Sequence, residues 1–261
     1  FFFAKANSYR TCVVIKEFLL ALSDIGMVAG DTARSRVYLQ AMEQEDLLPT
    51  QVLLMVPPKA GTLPGQQSRT ESQVEFVAGW EIDLARPVED LLEKTDTEYK
   101  TVSSTDINSA DVARGVRNLD PSVLIYSGFG GGILRKKVLN LGKRFLHVHG
   151  GYLPEYRGST TSYYSLLGHG KCGASSIFLS EEIDAGPVLL RREFKAPSDR
   201  TRIDYLYDSI FRSKVLIETL RAYAARGQWE VLDEISGEGE TYYIIHPILK
   251  HIAILGEDKG Q

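Results

Sequence analysis

The sequence predicts an α/β fold, with a mostly parallel twisted sheet, helices on both of its faces and a small C-terminal extension. Short apolar runs rich in β-branched residues recur along the 261-residue chain, and polar or glycine-rich turns bound each run. Helical patterns lie between these runs, and such alternation is typical of a parallel sheet covered on both faces. An apolar content of 43% and a charged content of 25% fit a globular protein with an ordinary core.

Seven runs predict buried strands, because each is short, apolar and bounded by Gly, Pro or polar clusters. Sheets of this kind bind ligands beyond the carboxyl ends of their strands, so the turns after these runs are candidate site segments. In chain order the runs are TCVVI (11–15), IGMVAG (25–30), QVLLMV (51–56), SVLIYSG (122–128), FLHVH (145–149), SSIFLS (175–180) and PVLLRREF (187–194).

Five segments predict helices from their apolar periodicity and their end signals. Ser109 is a candidate N-cap of the second segment, and Gly142 suits the end of the third. The last segment is the longest and is strongly amphipathic. The five segments are 35–45, 108–119, 133–142, 159–170 and 202–227.

Two further segments have a different character. Residues 57–73 are polar and rich in Pro, Gly and Gln, which is typical of a loop or an insertion. The tail 237–255 is apolar after a glycine-rich break. It predicts either a β-hairpin or a final strand followed by a short helix.

Charge and cysteine content exclude several classes of protein. A net charge of −4 argues against a generally basic surface for nucleic acid. Cys12 and Cys172 do not make a disulfide scaffold or a cysteine metal site, which favours a reducing cytoplasm. No apolar run reaches the roughly 18 residues of a membrane span, and the opening residues lack a signal-peptide pattern. We therefore predict a cytoplasmic protein without nucleic-acid or membrane partners.

Two histidines stand one residue apart in FLHVHGGYLPEYRG (145–158), where a predicted strand ends. Residues i and i+2 of a strand point to the same face, so His147 and His149 project together. Three interpretations are open: polar side chains bonded to backbone, a pair of metal ligands, or a catalytic base with a polar helper. Asp184, in SEEIDAGPVL, is either a turn residue or a carboxylate that orients an imidazole.

Two glycine-containing turns follow predicted strands. Gly128 and the run 130–132 lack the GxGxxG spacing of a dinucleotide site. They indicate instead a close approach of the backbone to a flat ligand. The turn 30–32, Gly-Asp-Thr, can cap the following helix or hold an anion.

Together these residues carry a family resemblance. The stretch 120–195 resembles the catalytic domain of the folate-dependent formyltransferases, and 25–56 resembles its first βαβ unit. That family includes the methionyl-tRNA, glycinamide ribonucleotide and sugar N-formyltransferases. Its hallmark is Asn-x-His-Pro-Ser-Leu-Leu-Pro-x-Tyr-Arg-Gly, followed downstream by Asp-x-Gly. The matching residues are His149, Leu153, Pro154, Tyr156, Arg157, Gly158, Asp184 and Gly186.

Two positions depart from the family pattern. His147 stands where the family has Asn, and Gly150–Gly151 replaces Pro-Ser after the motif histidine. The first change concerns the contact that the family Asn makes with the oxyanion. The second concerns a turn on the substrate side of the site.

The resemblance implies transfer of a formyl group from 10-formyltetrahydrofolate, as co-substrate, to an amine, without a metal. It implies that His149 is the proton shuttle, that Asp184 is its partner and that His147 inherits the oxyanion contact if its ring offers an N–H. The pterin is expected against Gly130, Gly131, Gly132, Ile133, Leu134, Glu181, Glu182 and Ile183. The amine is expected to enter beside Gly30, Asp31, Thr32, Tyr152 and Arg157.

We expect residues 1–200 to form the catalytic domain. We expect residues 201–261 to be a helix and an apolar tail that pack on it or form an oligomer interface, such as a homodimer. The expected acceptor is a small amine, because the chain is acidic and lacks room for the extra C-terminal domain of the tRNA enzyme.

A nucleotide-linked amino sugar is the first choice of acceptor, ahead of a hydroxylated ornithine or glycinamide ribonucleotide. Three alternatives from other functional classes remain at this point. One is hydrolysis of 10-formyltetrahydrofolate by water. Another is a metal-dependent enzyme that uses His147, His149 and Asp184 as ligands. The third is a non-catalytic folate-binding or scaffold protein.

Overall fold

The computed structural model describes residues 22–58, 74–234 and 239–256. The strand predicted at 11–15 and most of the loop predicted at 57–73 lie outside these residues. The described chain is an α/β fold, as predicted, and strands and helices alternate along it. Within the described ranges, no helix is long and apolar enough to cross a membrane.

Twelve strands and seven α-helices occur in the described residues. The strands are β1 Ile25–Gly30, β2 Gln51–Val56, β3 Val74–Val77, β4 Trp80–Asp83, β5 Glu98–Ser103, β6 Val123–Ser127, β7 Arg144–His149, β8 Tyr156–Gly158, β9 Lys171–Phe178, β10 Pro187–Lys195, β11 Asp233–Glu234 and β12 Glu240–Tyr242. The helices are α1 Ala33–Gln44, α2 Val88–Lys94, α3 Ala110–Arg117, α4 Lys136–Leu139, α5 Thr161–His169, α6 Asp208–Arg226 and α7 Pro247–Leu255.

Eight strands form the central sheet in the order β11-β10-β9-β7-β6-β1-β2-β5. Neighbouring strands from β5 to β7 are parallel, whereas the pairings of β9 with β7 and β10, and of β10 with β11, are antiparallel. The chain moves from β1 outward to β2 in one direction and returns to β6 on the other side. This reversal of strand order lies between β1 and β6, where open α/β sheets bind ligands.

Both faces of the sheet are covered by helices, which explains why its central strands read as continuous apolar runs. On one face Met27 of β1 packs in a core with Tyr38 of α1 and Leu216 of α6. On the other face Val28 packs in a second core with Val112 of α3. Successive residues of β1 thus point to opposite layers, as the strand period of two requires.

Helix α1 begins directly after the turn that follows β1. The Thr32 side chain accepts a hydrogen bond from the Ser35 backbone N–H at 3.2 Å. This bond satisfies one of the N–H groups that a helix start leaves free. The helix-capping role that the sequence allows for this turn is therefore confirmed.

The helix predicted over 133–142 is much shorter in the structure. The Asn108 side chain donates to the Ile133 carbonyl at 2.9 Å and accepts from the Arg135 N–H at 2.8 Å. These two bonds hold the segment before α4 outside a helix. As a result, only Lys136–Leu139 is helical.

No element was predicted between residues 74 and 107, where the structure has the β3–β4 hairpin, α2 and β5. Strand β5 lies at the edge of the sheet and exposes most of its residues. It therefore lacks the kind of apolar run from which the seven strands were predicted. The hairpin pairs Val77 with Trp80 across a tight turn.

The C-terminal segments pack on the rest of the fold. The predicted helix over 202–227 begins as a 3₁₀ turn and a π-helical turn before α6, and Gly227 ends it at φ +68°. Helix α6 packs on the sheet and on α1. The tail forms a strand and a short helix, the second of the two predicted arrangements: β12 pairs in parallel with β8, and α7 packs on α5.

Candidate active site

A cavity of about 550 Å³ opens beyond the carboxyl ends of β6 and β7. Its volume lies in the range of small-molecule sites. Both segments that the resemblance places against a pterin line this cavity, together with the three predicted catalytic residues. Its described lining comprises Arg34, Tyr126, 129–134, His147, His149, 158–163, 179–184, Ile203, Asp204, Asp208, Arg212 and 241–244.

The two pterin-facing segments offer backbone and apolar surface. A Cβ atom at Gly130 or Gly131 would meet no atom within 4 Å, so the loop leaves open space there. Ile133 and Ile183 are exposed apolar side chains at this cavity. Exposed peptide edges and aliphatic groups fit a flat heterocycle that stacks and hydrogen-bonds at its rim. The residues present therefore suit a pterin.

His149 and Asp184 form a buried pair. The His149 Nδ1 atom lies 3.4 Å from Asp184 Oδ2, and the other carboxylate contact comes from the Gly158 backbone N–H at 2.9 Å. Burial raises the pKa of Asp184, but the two imidazoles of His149 and His147 and the Gly158 N–H outweigh it. The pKa of Asp184 thus lies below its usual value, and the carboxylate is ionised at neutral pH.

The tautomer of His149 follows from its neighbours. Its Nε2 atom lies 2.7 Å from the Tyr156 carbonyl oxygen, which can only accept, so Nε2 carries a hydrogen. That bond fixes the ring, and Nδ1 is left as the atom at which a proton is gained or lost. Nδ1 is the atom that faces Asp184.

His147 is oriented differently from its neighbour. Its Nδ1 atom lies 3.3 Å from the Tyr126 carbonyl oxygen and therefore donates to it. Burial, with the charges of Arg34 and Arg212, lowers the pKa of His147 to about 3. The ring is neutral, so its other nitrogen, Nε2, bears no hydrogen and can only accept. An oxyanion contact would need a free N–H on His147. The one N–H of this ring donates to the Tyr126 carbonyl instead.

Glycine replaces the family's Pro-Ser because other groups occupy the space. A Cβ atom at Gly150 would lie 2.4 Å from Arg212 Nη2 and 2.5 Å from Asp208 Oδ1. A Cβ atom at Gly151 would lie 2.7 Å from His149 Nε2. The two glycines therefore admit the ion pair of Arg212 and Asp208 beneath the loop and the hydrogen-bonded position of His149.

The loop that carries Asp184 depends on the glycine two residues later. A Cβ atom at Gly186 would lie 1.8 Å from the Phe178 carbonyl oxygen, so no other residue fits that position. Asp184 itself adopts φ +51°, in the left-handed region that Asp tolerates better than most residues. The close approach at Gly186 thus fixes the loop that holds the carboxylate beside His149.

Two arginines of the cavity were not predicted from the sequence. Arg34 of α1 donates from Nε to Ser127 Oγ at 3.1 Å and from Nη2 to the Gly128 carbonyl at 2.7 Å. Arg212 of α6 donates from Nη1 to the Val148 carbonyl at 2.7 Å. Both side chains come from helices distant in sequence, and no local pattern marks them.

The C-terminal tail forms one wall of the cavity. Strand β12 pairs with β8 and brings residues 241–244 to the cavity lining. Tyr242 stacks on Tyr156 with ring centroids 5.4 Å apart, and the following Tyr243 is 79% exposed. An aromatic ring at the edge of the site is thus free to contact a ligand.

The turn 30–32, expected beside the amine, is occupied by the protein itself. Asp31 forms an ion pair with Arg36 at 2.7 Å, and Thr32 caps α1. The Phe129 ring covers Gly30, where an added Cβ would lie 2.8 Å from the ring edge. None of these three turn residues is among the described residues that line the cavity.

Tyr152 and Arg157, also expected beside the amine, lie outside the described lining as well. The Tyr152 ring packs under the Arg191 guanidinium, whose carbon lies 5.3 Å from the ring centroid. Arg157 is buried and contacts Glu182 at 3.3 Å and Thr241 at 3.4 Å. It therefore ties the β8 turn to the tail and to the Asp184 loop.

One group of side chains has the composition of a metal site. Ligand atoms of His147, His149 and Asp184 all lie within 4.8 Å of one another, and two imidazoles with a carboxylate suit transition metals. The guanidinium groups of Arg34 and Arg212 act on the same His147 ring. Their positive charge disfavours a cation at this point.

Residues 27–215 match the family model described as formyl transferase. The chain belongs to the formyl transferase family. Proteins of this family are transferases that move formyl groups. The matched range contains every strand of the central sheet except β11 and the first two residues of β1. It also contains His147, His149 and Asp184.

The curated relatives of this formyl transferase family member include methionyl-tRNA formyltransferases. The methionyl-tRNA formyltransferase of Ligilactobacillus salivarius is 29% identical over 123 residues, which are 46% of this chain. The match spans only 39% of that relative's length.

Two solved structures share the fold. A sugar N-formyltransferase from a Shewanella species has a TM-score of 0.53 at 14% identity, over 88% of this chain and 86% of that chain. A phosphoribosylglycinamide formyltransferase from Anaplasma phagocytophilum has a TM-score of 0.55 at 13% identity, over 84% and 97%. At these identities the likeness concerns the fold alone.

Proposed function

We propose that this protein transfers the formyl group of 10-formyltetrahydrofolate to the amine of a small molecule. One observation carries the proposal: a single cavity brings the buried His149–Asp184 pair together with both segments that suit a pterin. The formyl carbon would lie between these two parts of the cavity. Membership of the formyl transferase family supports the same reaction.

The chemistry needs a proton acceptor beside the reacting carbon. The amine nitrogen attacks the formyl carbon, and its proton must leave before the bond to the folate nitrogen breaks. His149 can take that proton at Nδ1, because its other nitrogen is held by the Tyr156 carbonyl. The Asp184 carboxylate, 3.4 Å away, stabilises the imidazolium that forms. The proton then passes to the folate nitrogen as the C–N bond breaks.

We propose a nucleotide-linked amino sugar as the acceptor. The cavity lining also carries the Ser159 hydroxyl and the Asp204 carboxylate, whose oxygens accept from the Tyr163 hydroxyl at 2.8 Å and from Lys250. Both groups have lone pairs that suit the hydroxyls of a sugar. The exposed ring of Tyr243, in the same lining, suits stacking on a base.

Hydrolysis of 10-formyltetrahydrofolate is the second candidate. The unprotonated Nε2 of neutral His147 is an acceptor at the cavity, and it can hold a water molecule by one of that molecule's hydrogens. A water so placed would attack the formyl carbon in the place of an amine. The two functions differ in whether release of tetrahydrofolate requires an acceptor.

Release of tetrahydrofolate is therefore the measurement that tests the proposal. The protein is mixed with 10-formyltetrahydrofolate and, separately, with nucleotide-linked amino sugars, glycinamide ribonucleotide, hydroxyornithine and methionyl-tRNA. We expect release that depends on an amino sugar, with the N-formyl product identified by mass spectrometry. Release at the same rate without any amine would establish the hydrolase, and product from methionyl-tRNA alone would overturn the choice of acceptor.

Variants of the catalytic pair test the mechanism. His149→Ala and Asp184→Asn should each lower kcat by at least about 100-fold, the range for loss of general acid–base catalysis. His251→Ala is the matched control, because His251 is an exposed residue of α7 that does not contact the pair. Wild-type rates in either catalytic variant would contradict the assigned roles.

A further inference from the structure

The oxyanion contact of the family motif lacks its donor in this chain. His147 holds the position of the motif Asn, its Nδ1–H is bound by the Tyr126 carbonyl at 3.3 Å, and the neutral ring has no second N–H. Formyl transfer nevertheless places a negative charge on the formyl oxygen, which requires a donor in a water-poor site. Another group at the cavity must supply it, and this reasoning rests on the proposed function.

Arg34 is held rigidly at the same cavity. Its Nε and Nη2 atoms donate to Ser127 Oγ and to the Gly128 carbonyl. The Ser127 hydroxyl is itself bound by Ser35 Oγ at 2.8 Å. In the part of the chain that the structure describes, the remaining nitrogen, Nη1, makes no hydrogen bond. The guanidinium is thus anchored by two of its three nitrogens, with the third left for a ligand.

The Asp208 carboxylate acts on the charge of Arg34 only from beyond ion-pair distance. Arg212 forms an ion pair with Asp208 at 2.7 Å, but no carboxylate of residues 22–58, 74–234 or 239–256 lies within ion-pair distance of Arg34. Burial and the nearby Arg212 lower the pKa of Arg34, yet a guanidinium stays charged at neutral pH. A half-buried cation with no carboxylate within ion-pair distance is stabilised by an anion that forms beside it.

We propose that Arg34 is the oxyanion donor of this enzyme and takes over the contact that the family assigns to the motif Asn. Arg34 and His147 line the same cavity, and the guanidinium charge is close enough to lower the pKa of the His147 ring. A charged donor binds an oxyanion more strongly than a neutral amide does. The change from Asn to His147 is therefore compensated by an arginine from α1.

The order of bond changes in formyl transfer shows at which step Arg34 would contact a negative charge. The amine lone pair forms the new C–N bond, and the π electrons of the formyl group move onto its oxygen, beside Nη1 of Arg34. The amine proton passes to His149. The oxygen lone pair then re-forms the C=O bond, the bond to the folate nitrogen breaks, and that nitrogen receives the proton. Arg34 contacts the oxygen throughout and exchanges no proton.

Substitution of Arg34 separates this role from substrate binding. Arg34→Met should lower kcat by about 100-fold or more and leave the KM for the amine within about threefold, whereas Arg34→Lys should keep part of the rate. Arg114→Met, at an exposed arginine of α3, is the matched control and should keep the wild-type rate. A rise in KM with an unchanged kcat would overturn the proposal and assign Arg34 to an acidic group of the acceptor.

A second substitution tests whether Arg34 replaces the motif Asn. His147→Asn in the Arg34→Met background restores an amide donor at the motif position. We expect the double variant to regain at least tenfold of the lost kcat. A kcat that stays at the Arg34→Met value would contradict the exchange of roles.

Binding of a stable mimic tests Arg34 without an acceptor. An aldehyde analogue of 10-formyltetrahydrofolate that cannot transfer its carbon hydrates to a diol and resembles the tetrahedral intermediate. We expect calorimetry to show at least tenfold weaker binding to Arg34→Met than to the wild type, and equal affinities would overturn the proposal. If no amine is formylated but Arg34→Met still weakens binding of the analogue, the proposed function fails and the role of Arg34 stands.

Discussion

Replacement of Gly150 by Ala tests the close packing around the turn that follows β7. The added Cβ would lie 2.4 Å from Arg212 Nη2, whereas real Cβ contacts stay above 3.0 Å. The difference, 3.0 minus 2.4, requires a shift of at least 0.6 Å. The Arg212 side chain cannot yield freely, because it donates to Asp208 and to the Val148 carbonyl, each at 2.7 Å.

The expected cost follows from those contacts. Overpacking of a buried site destabilises a protein by about 1–3 kcal/mol, and a strained ion pair adds to the upper end of that range. For a chain of this size, each kcal/mol lowers the Tm by roughly 2–4 °C. We therefore expect Gly150→Ala to lower the Tm by roughly 2–12 °C.

Thermal and urea unfolding of the wild type and of Gly150→Ala measure this loss of stability. Gly130→Ala is the matched control, because an added Cβ there meets no atom within 4 Å, and it should stay within about 0.5 kcal/mol of the wild type. A Gly150→Ala variant as stable as this control would refute the explanation of why glycine stands at this position.

Three further predictions concern other parts of the structure. Gly186→Ala should destabilise the protein by more than about 3 kcal/mol in urea unfolding, since its Cβ would lie 1.8 Å from the Phe178 carbonyl oxygen, a backbone atom; a stable variant would contradict the tight turn. Tyr243→Ala should raise the KM for a nucleotide-linked acceptor about tenfold with kcat within about threefold, and an unchanged KM in steady-state kinetics would exclude contact with the base. Burial raises the pKa of the Cys172 thiol to about 12, so iodoacetamide at pH 8 should label this cysteine only after unfolding; peptide mass spectrometry would show any labelling of the native protein.

Much of the fold was predictable because the central strands are buried on both faces. Strands such as β1 and β6 are continuous apolar runs, and a run of that kind has few alternatives to a buried strand. Strand β5 was not predicted because it lies at the sheet edge and exposes most of its residues. The length of helix α4 was overestimated because the Asn108 side chain donates to the carbonyl of Ile133, 25 residues later in the chain, and keeps that segment out of the helix.

The site was predictable where its residues share one motif. His149 and Asp184 were placed by their spacing to the two family signatures, and the structure brings them together. Arg34 was not predictable, because α1 reaches the cavity only through the packing of the whole sheet. The direction of the His147 ring was also beyond local reasoning, since the carbonyl of Tyr126 on the neighbouring strand decides which nitrogen carries the hydrogen.

Because β8 pairs with β12, two distant parts of the chain form the lining of the cavity. The proposed catalytic residues lie on the sheet and its loops, whereas residues 241–244 belong to the segment that begins with β12, some 90 positions after the motif histidine. A short strand paired along one edge can change in sequence without disturbing the sheet. Under the proposed function, the tail can therefore change to suit a different acceptor while His149 and Asp184 keep their positions.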